Sequence, residues 1–131
     1  MITILVVSHS KALAEGAVEL AKEMADNELV IKAVGGLADG SIGTDAVRIM
    51  EALYSVYTEE GVLVFVDLGS SVLSTQMAID LLGDKKMKEH IHLVNAPLVE
   101  GTIVAALQGS MGEPVESIIK EAKTAWKLNK L

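Results

Sequence analysis

Ile2-Thr3-Ile4-Leu5-Val6-Val7-Ser8-His9-Ser10-Lys11 is the stretch from which the fold is read. Six apolar or β-branched residues in a row describe a strand buried on both faces, the pattern of a parallel sheet. The run stops at Ser8-His9-Ser10, and helical spacing begins at once, with Leu13, Ala17, Leu20, Ala21 and Met24 on one face. A histidine on the turn between a central parallel strand and its helix sits at the carboxyl end of the sheet. Ligands of open α/β folds gather there. The turn also abuts the amides of a helix N-terminus, which favour anions. His9 is therefore a candidate phosphate carrier.

The rest of the chain extends this pattern. The first strand, about 2–7, leads to a helix of about 10–25 with Ser10 as N-cap. Leu29 to Val34 forms a second apolar run, and its single lysine, Lys32, suits a sheet edge. A glycine-rich stretch, 35–43, follows, and Thr44-Asp45 opens a helix expected to reach about Glu60 before Gly61, with Val47, Met50, Glu51, Tyr54 and Tyr57 at helical spacing. Val62 to Val66 is the second clean buried run and ends at Asp67-Leu68-Gly69-Ser70-Ser71, after which a helix extends to about Leu82 and Gly83. The charged segment Asp84 to Glu89 is expected to be solvated. Ile91 to Val94 is a fourth strand. Pro97 opens a further helix that breaks at Gly109 to Gly112, and Glu113-Pro114 opens a last amphipathic one carrying Val115, Ile118, Ile119, Ala122 and Trp126. Four β-α units with right-handed crossovers predict one α/β domain over residues 1–131: a three-layer α/β/α fold with a central parallel four-stranded sheet in the order 2-1-3-4. That order puts a switch point between strands one and three, whose carboxyl ends carry His9 and Asp67.

Composition narrows the function. With 18 acidic and 11 basic residues the net charge is -7, which disfavours nucleic acid and anionic membranes as partners. The aromatic residues are Tyr54, Tyr57, Phe65 and Trp126, too few for a base-stacking platform. No cysteine is present, so thiolate nucleophiles and cysteine metal sites are excluded. The first apolar run lacks a preceding basic region and is too short to span a membrane, so the expected location is the cytoplasm.

Imidazole is the side chain whose charge and nucleophilicity are balanced near neutral pH. A lone histidine is often merely a satisfied structural group, and its place at the switch point is what marks His9. Asp67 ends a buried strand, where a carboxylate needs a partner. It either caps the neighbouring loop or orients His9 by accepting from one ring nitrogen, which leaves the other free as nucleophile. Gly69, Ser70 and Ser71 open a helix beside it, and Ser10, Gly43 and Thr44 lie at two other helix starts. All six are candidate phosphate-binding positions. Neither phosphate-loop nor dinucleotide glycine pattern occurs, and no cofactor is expected. His90 and His92 share a strand face at the opposite end of the sheet without a third ligand, so no metal is expected.

Val7-Ser8-His9-Ser10, Gly35-Gly36 with Gly43-Thr44-Asp45-Ala46, Asp67-Leu68-Gly69-Ser70, and Ala96-Pro97-Leu98-Val99-Glu100-Gly101 together resemble the phosphotransferase (DhaM-type) subunits of phosphoenolpyruvate-dependent dihydroxyacetone kinases. That domain is similar to the mannose-type enzyme IIA domain of the sugar phosphotransferase system. The resemblance implies that His9 accepts phosphate from phospho-HPr and passes it to ADP on a partner kinase subunit, with Asp67 orienting the ring. It also implies a homodimer. With one domain in hand, phosphate is expected to come from a separate carrier. The exchanged edge strand of the mannose-type relatives has no evident counterpart after the last helix. Two other functions remain: an enzyme IIA component of a mannose-family sugar system, and a small-molecule hydrolase or isomerase using His9 and Asp67 as a base pair.

Overall fold

A computed structural model describes residues 1–131. β1 (Thr3–Ser8), β2 (Ile31–Gly35), β3 (Val62–Val66) and β4 (Ile91–Leu93) form one parallel sheet in the order β2-β1-β3-β4. The predicted order is thus the observed one. All residues of β1 and β3 are buried, because helices cover both faces. α1 (Lys11–Met24), α5 (Leu98–Ser110) and α6 (Val115–Thr124) lie on one side, packed on Ile4, Val6, Leu63 and Phe65. α2 (Ala46–Val56) and α3 (Ser70–Leu81) lie on the other, packed on Leu5, Val7, Val62, Val64 and Val66. Strand alternation sends successive side chains into the two cores, and each fully buried one contributes about 1.5–3 kcal/mol relative to exposure.

The structure rotates two helices from their expected faces. α1 buries Ala14, Ala17, Val18 and Ala21 and leaves Leu13, Leu20 and Met24 about half exposed. α2 buries Ile49, Ala52, Leu53 and Val56, while Val47 and Tyr54 face outward. Both sets in each helix have helical spacing. The seam rich in alanine lets the helix axis approach the sheet closely, and dense packing selects it. α2 also ends earlier than expected. Asp45, not Thr44, is its N-cap, accepting from the Val47 amide at 2.9 Å. Its last carbonyl, on Val56, takes the buried Thr3 hydroxyl at 2.7 Å, which ties the helix end to β1. The charged stretch 84–89 is solvated and contains a short helix, α4 (Lys85–Glu89), capped by Asp84. Trp126 falls in a 3-10 turn (Ala125–Lys127) rather than in α6, and its indole N–H donates to the Asn95 carbonyl at 3.0 Å.

The β1/β3 register positions the site. Val7 pairs with Val66, so Ser8 and His9 emerge level with Asp67. Gly101 permits the tight packing of α5 behind them: a Cβ there would lie 2.8 Å from the Ala96 Cβ and 3.0 Å from the Phe65 ring.

Candidate active site

His9 and Asp67 meet, as the switch-point argument requires. The Nδ1 atom lies 3.0 and 3.1 Å from the two carboxylate oxygens of Asp67. Both side chains are partly shielded, the imidazole 26 % and the carboxylate 17 % exposed. Asp67 Oδ2 accepts from the His9 N–H at 2.9 Å and from the Ser8 hydroxyl at 2.8 Å, and Oδ1 accepts from the Leu68 N–H at 2.7 Å. Burial by itself pushes the Asp67 carboxyl up. The hydrogen bonds donated by His9 and Leu68 outweigh it and hold the group well below the usual carboxylate range. An ionised carboxylate only accepts, so Nδ1 carries the ring proton in this assignment. Nε2 then presents its lone pair, and the Ser70 Oγ lies 2.7 Å from it.

The remaining predicted positions surround this pair with different tasks. The Ser10 hydroxyl caps α1 by accepting from the Leu13 N–H at 3.2 Å, and the Ser10 amide donates to the Ser8 hydroxyl at 3.0 Å. Gly43 donates its N–H to the His9 carbonyl at 3.0 Å, which pins the glycine-rich loop to the active turn. The buried Ser71 hydroxyl donates to the Leu68 carbonyl at 3.0 Å. The Thr44 hydroxyl sits between Ser70 and Ser74. Gly69 adopts φ 57° and ψ -117° as N-cap of α3, a conformation that a side chain disfavours. The Gly69 and Ser70 amides, at the helix start whose hydroxyl touches Nε2, have no acceptor within the protein.

Sequence reasoning missed Ser8 and Ser74. Ser8 is 1 % exposed and bridges Asp67 to the Ser10 amide. A hydroxyl closing an otherwise apolar strand was its only signal. Ser74 stands one helical turn after Ser70, a spacing that becomes meaningful only once Thr44 is seen to lie beside both. His90 and His92 are remote from His9. They line a cavity of about 510 Å³ with Glu59, Glu89 and Glu116 among others. The His90 Nδ1 lies 3.2 Å from the Tyr57 hydroxyl and 3.0 Å from the Lys86 carbonyl. No group of three or more candidate ligands is gathered to hold a metal.

Residues 3–119 match the family described as PTS system fructose IIA component, EIIA-man. The chain belongs to the EIIA-man family. A phosphoryl donor subunit DhaM of a PEP-dependent dihydroxyacetone kinase from Listeria innocua is 37% identical over 121 residues, covering 92% of this chain and 96% of that one. A DhaM phosphoryl donor subunit from Providencia stuartii is 41% identical over 128 residues, which is 95% of this chain. This chain spans 27% of the length of that Providencia relative, and 27% of a DhaM from Klebsiella michiganensis. Among solved structures, a crystal structure of a protein of unknown function superposes with a TM-score of 0.84 at 37% identity, covering 93% of this chain and 92% of that one. The EIIA component of a phosphotransferase system from Streptococcus agalactiae has a TM-score of 0.68 at 19% identity over 95% of this chain and 92% of its own, a likeness of fold. The EIIA-man fold expected from the sequence is therefore the fold found. No helix is long and apolar enough to cross a membrane.

Proposed function

We propose that this chain is a phosphoryl carrier that loads on Nε2 of His9. The phosphohistidine of HPr is the donor. The acceptor is ADP bound on the kinase subunit that phosphorylates dihydroxyacetone. The observation that carries this reading is the clamped imidazole: the Asp67 carboxylate lies against Nδ1, and Nε2 faces the Ser70 hydroxyl at the start of α3. In loading, the Nε2 lone pair forms a bond to phosphorus while the P–N bond of the donor breaks, and the donor nitrogen keeps the electron pair. The His9 ring becomes positively charged, and Asp67 stabilises it without taking its proton. In unloading, a terminal oxygen of ADP attacks phosphorus and the electron pair returns to Nε2.

The Gly69 and Ser70 amides and the Ser70 hydroxyl hold the phosphoryl oxygens. Ser10, Gly43, Thr44 and Ser71 act behind them by fixing the loops. Ile42, Leu68 and Leu73, each more than 60 % exposed, supply apolar surface on the loops and helix bordering the site, and such surface favours a protein partner over a solvated substrate. The names of the DhaM relatives, phosphoryl donor subunits of dihydroxyacetone kinases, favour a kinase subunit as the end of the relay over a sugar permease. A hydrolase or isomerase fits less well, because a substrate-sized cavity is wanted around the base. The neighbouring cavity of about 380 Å³ is lined by Asp67, Val72, Gln76 and Trp126 but not by His9. A cytoplasmic homodimer of one domain, 1–131, belongs to the same reading. The exposed Leu73, Met77 and Leu81 on one side of α3 are apolar surface of the kind that assembly needs.

The test is incubation with phosphoenolpyruvate, enzyme I and HPr, followed by intact mass at alkaline pH. One acid-labile phosphoryl group on the wild type, absent from His9→Ala, is the expected result. A wild type that takes up none overturns the proposal.

A further inference from the structure

Three hydroxyls stand in line behind the nucleophile. Ser70 Oγ lies 2.7 Å from His9 Nε2, Thr44 Oγ1 lies 3.2 Å from Ser70 Oγ, and Ser74 Oγ lies 2.7 Å from Thr44 Oγ1. They come from two elements. Ser70 and Ser74 share one side of α3 at a spacing of four. Thr44 precedes the N-cap of α2 and follows Gly43, whose amide is bonded to the His9 carbonyl. We infer that Ser74, acting through Thr44, is a positioning residue for phosphoryl transfer: it closes a hydroxyl relay that keeps the Ser70 proton directed at Nε2.

The direction of each proton follows from Asp67. The carboxylate accepts, so Nδ1 carries hydrogen and Nε2 is an acceptor. Ser70 must therefore donate to Nε2. A hydroxyl has one proton, so the Ser70 oxygen is left to accept, and Thr44 is the donor in reach. Thr44 has then used its own proton, and Ser74 donates to it. Hydrogen bonds aligned in this way polarise one another and strengthen the terminal one. When Nε2 takes up a phosphoryl group, Ser70 loses its ring acceptor and gains phosphoryl oxygens at the same place. The relay keeps its polarity through the reaction, so no donor has to be reorganised. A hydrogen bond to a charged phosphoryl oxygen is stronger than one to a neutral ring nitrogen. Weakening the relay therefore harms the phosphorylated state more than the resting one. This role of the relay in transfer rests on the proposed loading of His9.

The experiment compares wild type, Ser74→Ala, Ser74→Thr and Thr44→Val in the HPr phosphotransfer equilibrium, with thermal melting as the control for folding. Loss of one such neutral hydrogen bond is expected to move the equilibrium roughly three- to tenfold toward the unphosphorylated protein in Ser74→Ala and Thr44→Val. Ser74→Thr restores the hydroxyl and is expected to restore the equilibrium. The ¹⁵N signal of the unphosphorylated His9 Nε2 should shift in Ser74→Ala toward a less hydrogen-bonded ring, a change that a packing defect elsewhere in α3 would not produce. An unchanged equilibrium in both Ser74→Ala and Thr44→Val, with wild type loading normally, overturns the relay. So does a Ser74→Thr protein that melts like wild type yet behaves like Ser74→Ala. If wild type itself fails to load, the carrier proposal is what falls, and the ¹⁵N shift still decides whether the relay exists.

Discussion

Asp67→Asn separates charge from shape at the site. The amide is nearly isosteric, yet it offers one acceptor oxygen and an NH₂ where two oxygens stood. Oδ2 now serves the Ser8 hydroxyl and the His9 amide, and Oδ1 serves the Leu68 amide and the His9 ring. If NH₂ replaces Oδ2, the Ser8 hydroxyl can turn but the His9 amide is stranded. If it replaces Oδ1, the Leu68 amide is stranded, and the ring keeps only its 3.1 Å contact to an Oδ2 already shared with Ser8 and the His9 amide. Either arrangement leaves one poorly solvated donor unpaired at a cost of about 1–3 kcal/mol. It also removes a charge-assisted bond of about 1.5–3 kcal/mol from the charged phosphohistidine, which corresponds to roughly a 10- to 100-fold fall in phosphorylation at equilibrium. The assay is the extent of labelling at fixed phospho-HPr, with ¹⁵N signals of the ring reporting the tautomer. An Asp67→Asn protein that loads like wild type with an unchanged tautomer would refute the assignment of Nε2 and of the clamp together. Acid behaviour gives a second reading. The folded pKa of Asp67 lies below the unfolded value of about 3.9, so its contribution to stability is present above that value and is lost as pH falls toward the folded pKa. Asp67→Asn should therefore be less stable than wild type near neutrality, and the gap should narrow in acid.

Gly69→Ala places a side chain at φ 57° with no steric neighbour within 4 Å, so its cost is purely conformational. About 1–3 kcal/mol is expected, seen in urea unfolding together with weaker phosphoryl uptake. Gly101→Val should destabilise by about 1–3 kcal/mol through overpacking against Ala96 and Phe65, with loading retained in the folded fraction. Phe65→Ala empties a fully buried position of β3 packed against α5 and should cost about 3–5 kcal/mol in the same assay. Thr75→Val removes a fully buried hydroxyl that has no hydrogen-bond partner, and it should raise stability by about 1 kcal/mol or leave it unchanged. A clear loss there would show that the hydroxyl is paired in solution.

Much of the site was legible before any coordinates. Ser8-His9-Ser10 and Asp67-Leu68-Gly69-Ser70 each follow a short run of apolar or β-branched residues closed by a turn and a helical pattern, the signature of a central parallel strand. Handed crossovers then bring their ends together. The chemistry of the two side chains was equally local, since a carboxylate and an imidazole have few ways to pair. The helix faces were not legible in the same way. In α1 the set Leu13, Leu20, Met24 and the set Ala14, Ala17, Val18, Ala21 both repeat at helical spacing, and hydropathy favours the leucines. Close packing on the sheet chose the alanines.

What the order of residues determined by itself is the sheet, its strand order and the pairing of His9 with Asp67, because period, burial and handedness are properties of short segments and simple connections. What only the tertiary structure decided is which hydroxyls and amides at the site are already occupied. Ser8, Gly43, Thr44 and Ser74 find partners in loops and helices that are distant along the chain. The direction in which a hydroxyl gives its proton is set by neighbours brought together through folding, and no local pattern encodes it.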